Sequence, residues 1–145
     1  MYYFAFGSNM SFAQLQQRGC ANFEFIGPAK LNDYKITFSG QSPNWNMKGT
    51  ANILPSKGDY VWGGLFMVEK DCIGQLNILE HVPDRRKRIK IQVEVGNRII
   101  SALAYVIKTD LEANKPSKEY LDKIIEGAKD CKIPKEYIAK LRSYQ

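Results

Sequence analysis

The chain opens on an aromatic, apolar run, Tyr2-Tyr3-Phe4-Ala5-Phe6, which stops abruptly at Gly7-Ser8-Asn9, and a helical pattern begins two residues later. Such a run reads as a buried strand ended by its glycine. Ser11 followed three residues on by Gln14 has the form of a capping box, with Ser11 as N-cap. A strand that turns this tightly into a helix leaves several backbone N–H groups aimed at one place. Amides without intrahelical partners suit a carboxylate or phosphate. The plainer reading is an ordinary buried strand with a tight turn, because short glycine motifs are weak evidence by themselves.

Beyond Gly19, which ends the first helical pattern, the periodicity changes to two. Tyr34, Ile36 and Phe38 alternate with Lys35 and Thr37, predicting a strand over 34–39. Gly40 to Lys48 reads as a loop, Ala51–Leu54 as a strand and Pro55–Asp59 as a turn. Tyr60–Val68 is apolar and β-rich, and its Gly63-Gly64 pair predicts a bulge or a close backbone approach. Ile73, Leu76 and Leu79 recur at helical spacing, and that helix ends near Glu80-His81-Val82-Pro83, ahead of the proline. Ile89, Ile91, Val93 and Val95 alternate with polar residues, and Gly96-Asn97 turns them into Ile99–Ile107 as a β-hairpin. After Pro116-Ser117, Tyr120, Ile124 and Ala128 share one helical face, and a shorter helix follows Pro134. Strands in the middle and helices towards the ends predict an α+β fold, a mixed and curled sheet flanked by helices. With 145 residues, 44% of them hydrophobic, a single domain over residues 1–145 is expected.

Composition narrows the partners. No apolar run is long enough to span a bilayer, and the broken apolar start lacks a positive leader, so a secretory signal is not expected. Cys20, Cys72 and Cys131 are odd in number and widely spaced, forming neither a CxxC pair nor a disulfide framework, which suits a reducing cytosol. With His81 as the one histidine, no metal-ligand spacing is present, and no metal is implied. The formal charge of +6 gathers in Arg85-Arg86-Lys87-Arg88 and the C-terminal third. It permits an anionic partner without demanding nucleic acid.

Glu80 is the first carboxylate to consider. It closes a short apolar helix, where the helix dipole disfavours a negative charge by about 0.3–1 kcal/mol, and burial would decide whether it shuttles protons near neutrality. Its plainer reading is a surface helix-end residue. The run Arg85 to Arg88 has three readings: a solvated loop first, the lining of an anion pocket second, a phosphate-tracking patch third. No aromatic platform of a single-strand binder lies beside it. Tyr3, Phe4 and Phe6 read as core. Tyr120 reads as core with its hydroxyl wet at one end.

Taken in order, these segments resemble the gamma-glutamylcyclotransferase-like family. Tyr3 to Met10 is similar to the family's Tyr-Gly-Ser-Asn signature, and Gly49-Thr50-Ala51-Asn52-Ile53 with Val61-Trp62-Gly63-Gly64-Leu65-Phe66 to its central strands. Leu76-Asn77-Ile78-Leu79-Glu80-His81-Val82 resembles the Leu-Asp-x-x-Glu-Gly-Val stretch that carries the catalytic glutamate. Pro116-Ser117-Lys118-Glu119-Tyr120, Gly127-Ala128 and Ile133-Pro134-Lys135-Glu136-Tyr137 are similar to its C-terminal helices. The resemblance implies a small curled β-structure flanked by helices, no cofactor, often a homodimer, and a small γ-glutamyl substrate, while the cytoplasmic setting rests on the cysteine reading above. It implies cyclisation to 5-oxoproline with Glu80 as base and then acid. Tyr3, Phe4, Ala5, Phe6, Gly7, Ser8, Asn9 and Tyr120 would hold the substrate. Three positions depart from the pattern. Phe6 replaces the signature tyrosine, His81 replaces the glycine after the glutamate, and Lys87 or Arg88 stands where a tyrosine is expected. A cationic entrance would favour a substrate with a negative leaving side. The competing reading is a non-catalytic module on the same fold that binds an anionic small molecule.

Overall fold

The computed structural model describes residues 1–145. Five strands close into a barrel in the order β1-β3-β2-β4-β5, with β1 at Tyr2–Ala5, β2 at Glu24–Ser42, β3 at Lys48–Met67, β4 at Arg86–Val95 and β5 at Arg98–Ile107. Four helices flank it: α1 at Phe12–Gln17, α2 at Lys70–Leu79, α3 at Lys118–Asp130 and α4 at Lys135–Arg142. The α+β expectation holds, and the curled sheet is a closed one.

The long β2–β3 hairpin is the wall on which the rest is assembled. Of the residues read as a loop, 40–48, the connection is only 43–47, a 3₁₀ turn at Pro43–Trp45 and left-handed Asn46 and Met47, while β2 runs on to Ser42 and β3 starts at Lys48. The turn expected at Pro55–Asp59 is a bulge inside β3. Asn32 pairs with Tyr60 and Tyr34 with Pro55, so the four residues Ser56–Asp59 bow out opposite Asp33. Gly63 and Gly64 are sites of close approach. A Cβ on Gly63 would sit 2.7 Å from the Phe4 ring, and one on Gly64 would sit 2.9 Å from the Phe66 ring. The β4–β5 hairpin turns as the Gly96-Asn97 pair predicts, with Val95 opposite Arg98. It joins the barrel through single pairs on each side, Lys30 with Glu94 and, in parallel, Tyr3 with Leu103.

One expectation is overturned. Cys20 and Cys72 form a disulfide, Cα atoms 4.7 Å apart, and Cys131 alone is free. Spacing along the chain could not reveal the pair because the fold brings the end of α1 onto the first turn of α2. Closing a 52-residue separation constrains the unfolded chain by about 4 kcal/mol in the chain-entropy account. Cysteine spacing therefore gives no support to a reducing compartment.

Candidate active site

The turn after β1 is braced from below. Ser11 caps α1, its Oγ accepting from the Gln14 amide at 3.3 Å, as the capping box predicts. The Gln14 side chain does not reach back to the cap. Its Nε2 donates to Asn9 Oδ1 at 3.1 Å and to Ser8 Oγ, and Asn9 Nδ2 donates to the Tyr3 hydroxyl at 3.0 Å. Helix α3 clamps the other side: the Ser11 hydroxyl donates to Glu126 at 2.7 Å, and the Phe12 amide donates to Asp130 at 3.0 Å. Between these braces the amides of Phe6, Gly7, Ser8 and Asn9 donate to no acceptor in the protein. All four residues line a cavity of about 660 Å³. The strand is buried and its turn tight, as the plainer reading has it, and the unpaired amides belong to residues that line the cavity.

Glu80 lies across the same cavity. As the C-cap of α2 it donates its amide to Leu76 O at 2.8 Å. Its carboxylate is only 17% exposed and meets Arg86 Nε at 3.0 Å. The surface helix-end reading is thus corrected. So is the solvated-loop reading of the basic run, in part: β4 begins at Arg86, and the start of that strand brings the guanidinium into the cavity. Arg85 is exposed yet lines the entrance, whereas Lys87 and Arg88 are exposed and do not. Arg86 also donates to Thr50 Oγ1 at 3.1 Å and to Ala51 O at 3.4 Å.

Tyr120 arrives from α3, whose N-cap Ser117 accepts from the Tyr120 amide at 3.2 Å. Its hydroxyl is not wet, as expected from sequence, but buried, accepting the Ala51 amide at 2.9 Å. Burial raises its pKa. Tyr3 is raised as well, by burial first and then by the Glu80 charge. Tyr105, on β5, is pushed up to about 12 by burial and by Glu80, and its hydroxyl donates to Asn77 Oδ1 at 2.7 Å. Three tyrosines that feel the Glu80 charge are thus held as neutral hydroxyls.

The sequence-predicted residues Tyr3 to Asn9, Glu80 and Tyr120 all converge on this cavity. Sequence reasoning missed Tyr105 and Arg18, and it ranked a pocket role for the run containing Arg86 only second. Tyr105 sits in a continuous buried run, Ala104-Tyr105-Val106, a pattern of strands covered on both faces. It presents an aromatic hydroxyl from the strand paired with Arg88, one of the positions where a tyrosine was expected. His81 takes a left-handed φ of 55°, a conformation that glycine adopts without strain.

A closed barrel and its helices that bring a shielded carboxylate, unpaired amides and neutral hydroxyls to one cavity define a small-molecule pocket. The model of the AIG2-like family matches residues 60–141. Mouse gamma-glutamylcyclotransferase is 32% identical over 150 residues, covering 99% of this chain and 78% of that protein, and its human counterpart is 31% identical over the same extent. A solved gamma-glutamyl cyclotransferase structure superposes with a TM-score of 0.94 at 30% identity, over 100% of this chain and 88% of that one. The chain belongs to the AIG2-like family and is an enzyme of the gamma-glutamylcyclotransferase type.

Proposed function

We propose that the protein cyclises a γ-glutamyl group, releasing 5-oxoproline and an amine or amino acid. The free α-amine attacks the γ-carbonyl of its own side chain, a C–N bond forms, and the bond to the leaving nitrogen breaks. Glu80 takes a proton from the attacking nitrogen and returns one to the leaving nitrogen, so no proton is gained or lost overall. Five-membered closure needs little beyond correct folding of the substrate, so positioning supplies much of the rate. The free amides of residues 6–9 would receive the glutamyl oxygens, Tyr3 and Tyr120 would fix the turn and the wall beside them, and Phe4, Ala5 and Phe6 would supply the apolar floor. No covalent intermediate with the protein is required.

The observation that carries this reading is a carboxylate shielded from water, set among neutral hydroxyls and across a cavity from four unpaired amides. One observation favours the second reading, a binding module that turns nothing over: the Glu80–Arg86 pair occupies the carboxylate. The family resemblance also carries the homodimer as a proposal.

The test is 5-oxoproline release, followed by mass spectrometry, from γ-glutamyl dipeptides and γ-glutamylamines, with Glu80→Gln alongside. Gln keeps the shape and cannot shuttle a proton. Product from the native protein and a loss of at least about 10²-fold in the variant are expected. Binding of a γ-glutamyl compound without turnover would establish the module instead.

A further inference from the structure

Resting on the cyclotransferase reading, we infer that Arg86 is the specificity-determining residue of the leaving half of the substrate, reading the α-carboxylate of the departing amino acid. A guanidinium carries five N–H groups in a planar fork. Glu80, Thr50 and Ala51 each engage one, which leaves two unspent on a side chain that lines the cavity and is only 16% exposed. An arginine held by three protein acceptors is fixed in orientation before a ligand arrives, and its remaining donors suit a planar carboxylate.

Reach singles out which carboxylate. For Glu80 to return a proton, the leaving nitrogen must come within about 3 Å of its carboxylate. Arg86 Nε is 3.0 Å from that same carboxylate. In a departing amino acid the carboxylate carbon is about 2.5 Å from the nitrogen, across a single Cα. A nitrogen seated on Glu80 therefore carries its α-carboxylate to the guanidinium, whereas a side-chain carboxylate lies farther out. The sequence-based idea of a cationic entrance thereby narrows to one arginine and one carboxylate.

Charge agrees. Apart from His81, the charged residues lining the cavity are Arg18, Arg85 and Arg86 against Glu80 and Asp84, an excess of one positive charge. A γ-glutamyl amino acid has two carboxylates and one ammonium, net −1, while a γ-glutamylamine is net neutral. Lys87 and Arg88 do not line the cavity, so the excess is local to it.

The experiment compares kcat/KM for γ-glutamyl-alanine and γ-glutamyl-alaninamide, which match in size and differ in the charge of one group. Alaninamide is the less basic amine, so intrinsic reactivity runs against the expected preference. The native protein should favour the alanine substrate by about 10- to 150-fold, the worth of a charged hydrogen bond. In Arg86→Gln that ratio should collapse towards one, and Arg86→Lys should restore part of it. Equal rates in the native protein would overturn the inference without the need for any variant. A ratio that survives in Arg86→Gln, with both substrates slowed alike, would overturn it too, and would place Arg86 on the glutamyl half or in support of Glu80. Absence of product from both substrates in the native protein is a different outcome: it refutes the cyclotransferase reading, and the inference with it.

Discussion

Gly127 and Gly74 both lie within helices, yet alanine at the two should have opposite effects. In an exposed helix interior, alanine is more favourable than glycine by about 0.8–1 kcal/mol. Gly74, in α2, is exposed, and a methyl group there would meet nothing within 4 Å, so Gly74→Ala should realise most of that gain. Gly127 faces the turn that precedes α1. A Cβ there would stand 2.5 Å from the Met10 carbonyl carbon and closer still to the Ser11 nitrogen, where ordinary contact begins near 3.4 Å. Both neighbours are backbone, which cannot give as a side-chain tip can, so α3 and the turn would have to part by about 1 Å, and the overpacking falls in the upper part of the usual range, about 2–3 kcal/mol. The separation also pulls on the bonds from Ser11 to Glu126, from Phe12 to Asp130 and from Cys131 to Met10. The clash outweighs the helix gain, leaving Gly127→Ala about 1–2 kcal/mol less stable, or roughly 3–7 °C in Tm for a chain of this length. The same displacement moves the unpaired amides, and a misplacement near 1 Å can slow an enzyme by about 10²-fold. Urea unfolding followed by the fluorescence of Trp45 and Trp62, with 5-oxoproline release beside it, reads both effects. A Gly127→Ala protein as stable as the native one would refute the reasoning, and so would shifts of the same sign at the two glycines.

Tyr120→Phe keeps the ring contacts with Phe38 and Trp45 but strands the buried Ala51 amide, at a cost of about 1–3 kcal/mol; calorimetry should show Tm lower by at least about 3 °C, and a shift below about 1 °C would contradict the assigned bond. Stability should also fall with alkali. Unfolded tyrosine ionises near 10, while Tyr105 in the folded chain is held up to about 12 and Tyr3 is raised as well. Between these values the unfolded state has lost protons that the folded state keeps, so stability declines as pH rises. Urea midpoints at pH 9 and pH 11 should differ in that direction.

Local devices were legible in the sequence because short-range spacing encodes them. The capped start of α1, the Gly96-Asn97 hairpin and the amphipathic face of α3 each depend on residues within a turn or two of one another. Glu80 could be picked out, but its shielding could not, since that depends on where β4 begins. Arg86 reads as part of a basic run until strand pairing sets it opposite Ile107, two pairs along from Tyr105 and Arg88. The register breaks between β2 and β3, near Ile26, Asp33 and Gly40, escape period-two reasoning for the same cause: an odd number of inserted residues moves the following side chains to the other face. The disulfide depended on tertiary approach alone.

The two single-pair seams of the β4–β5 hairpin bear on how the site breathes. Ten paired positions hold β4 to β5; towards the rest of the barrel there is one ladder pair on each flank, and side chains supply the other ties, from Arg86 to Thr50 and Ala51, from Tyr105 to Asn77 and from the Ile107 amide to Asn52. Lifting this unit away would keep its internal ladder and that of the β2–β3 wall, at the cost of those side-chain bonds. Arg86 and Tyr105 ride on the ribbon, while Glu80 stays at the end of a helix tethered through Cys72. Amide exchange at the two seams would accordingly outpace exchange within the ribbon. Such an opening would have to part the guanidinium from the carboxylate, so the Arg86–Glu80 pair also fastens the ribbon to α2.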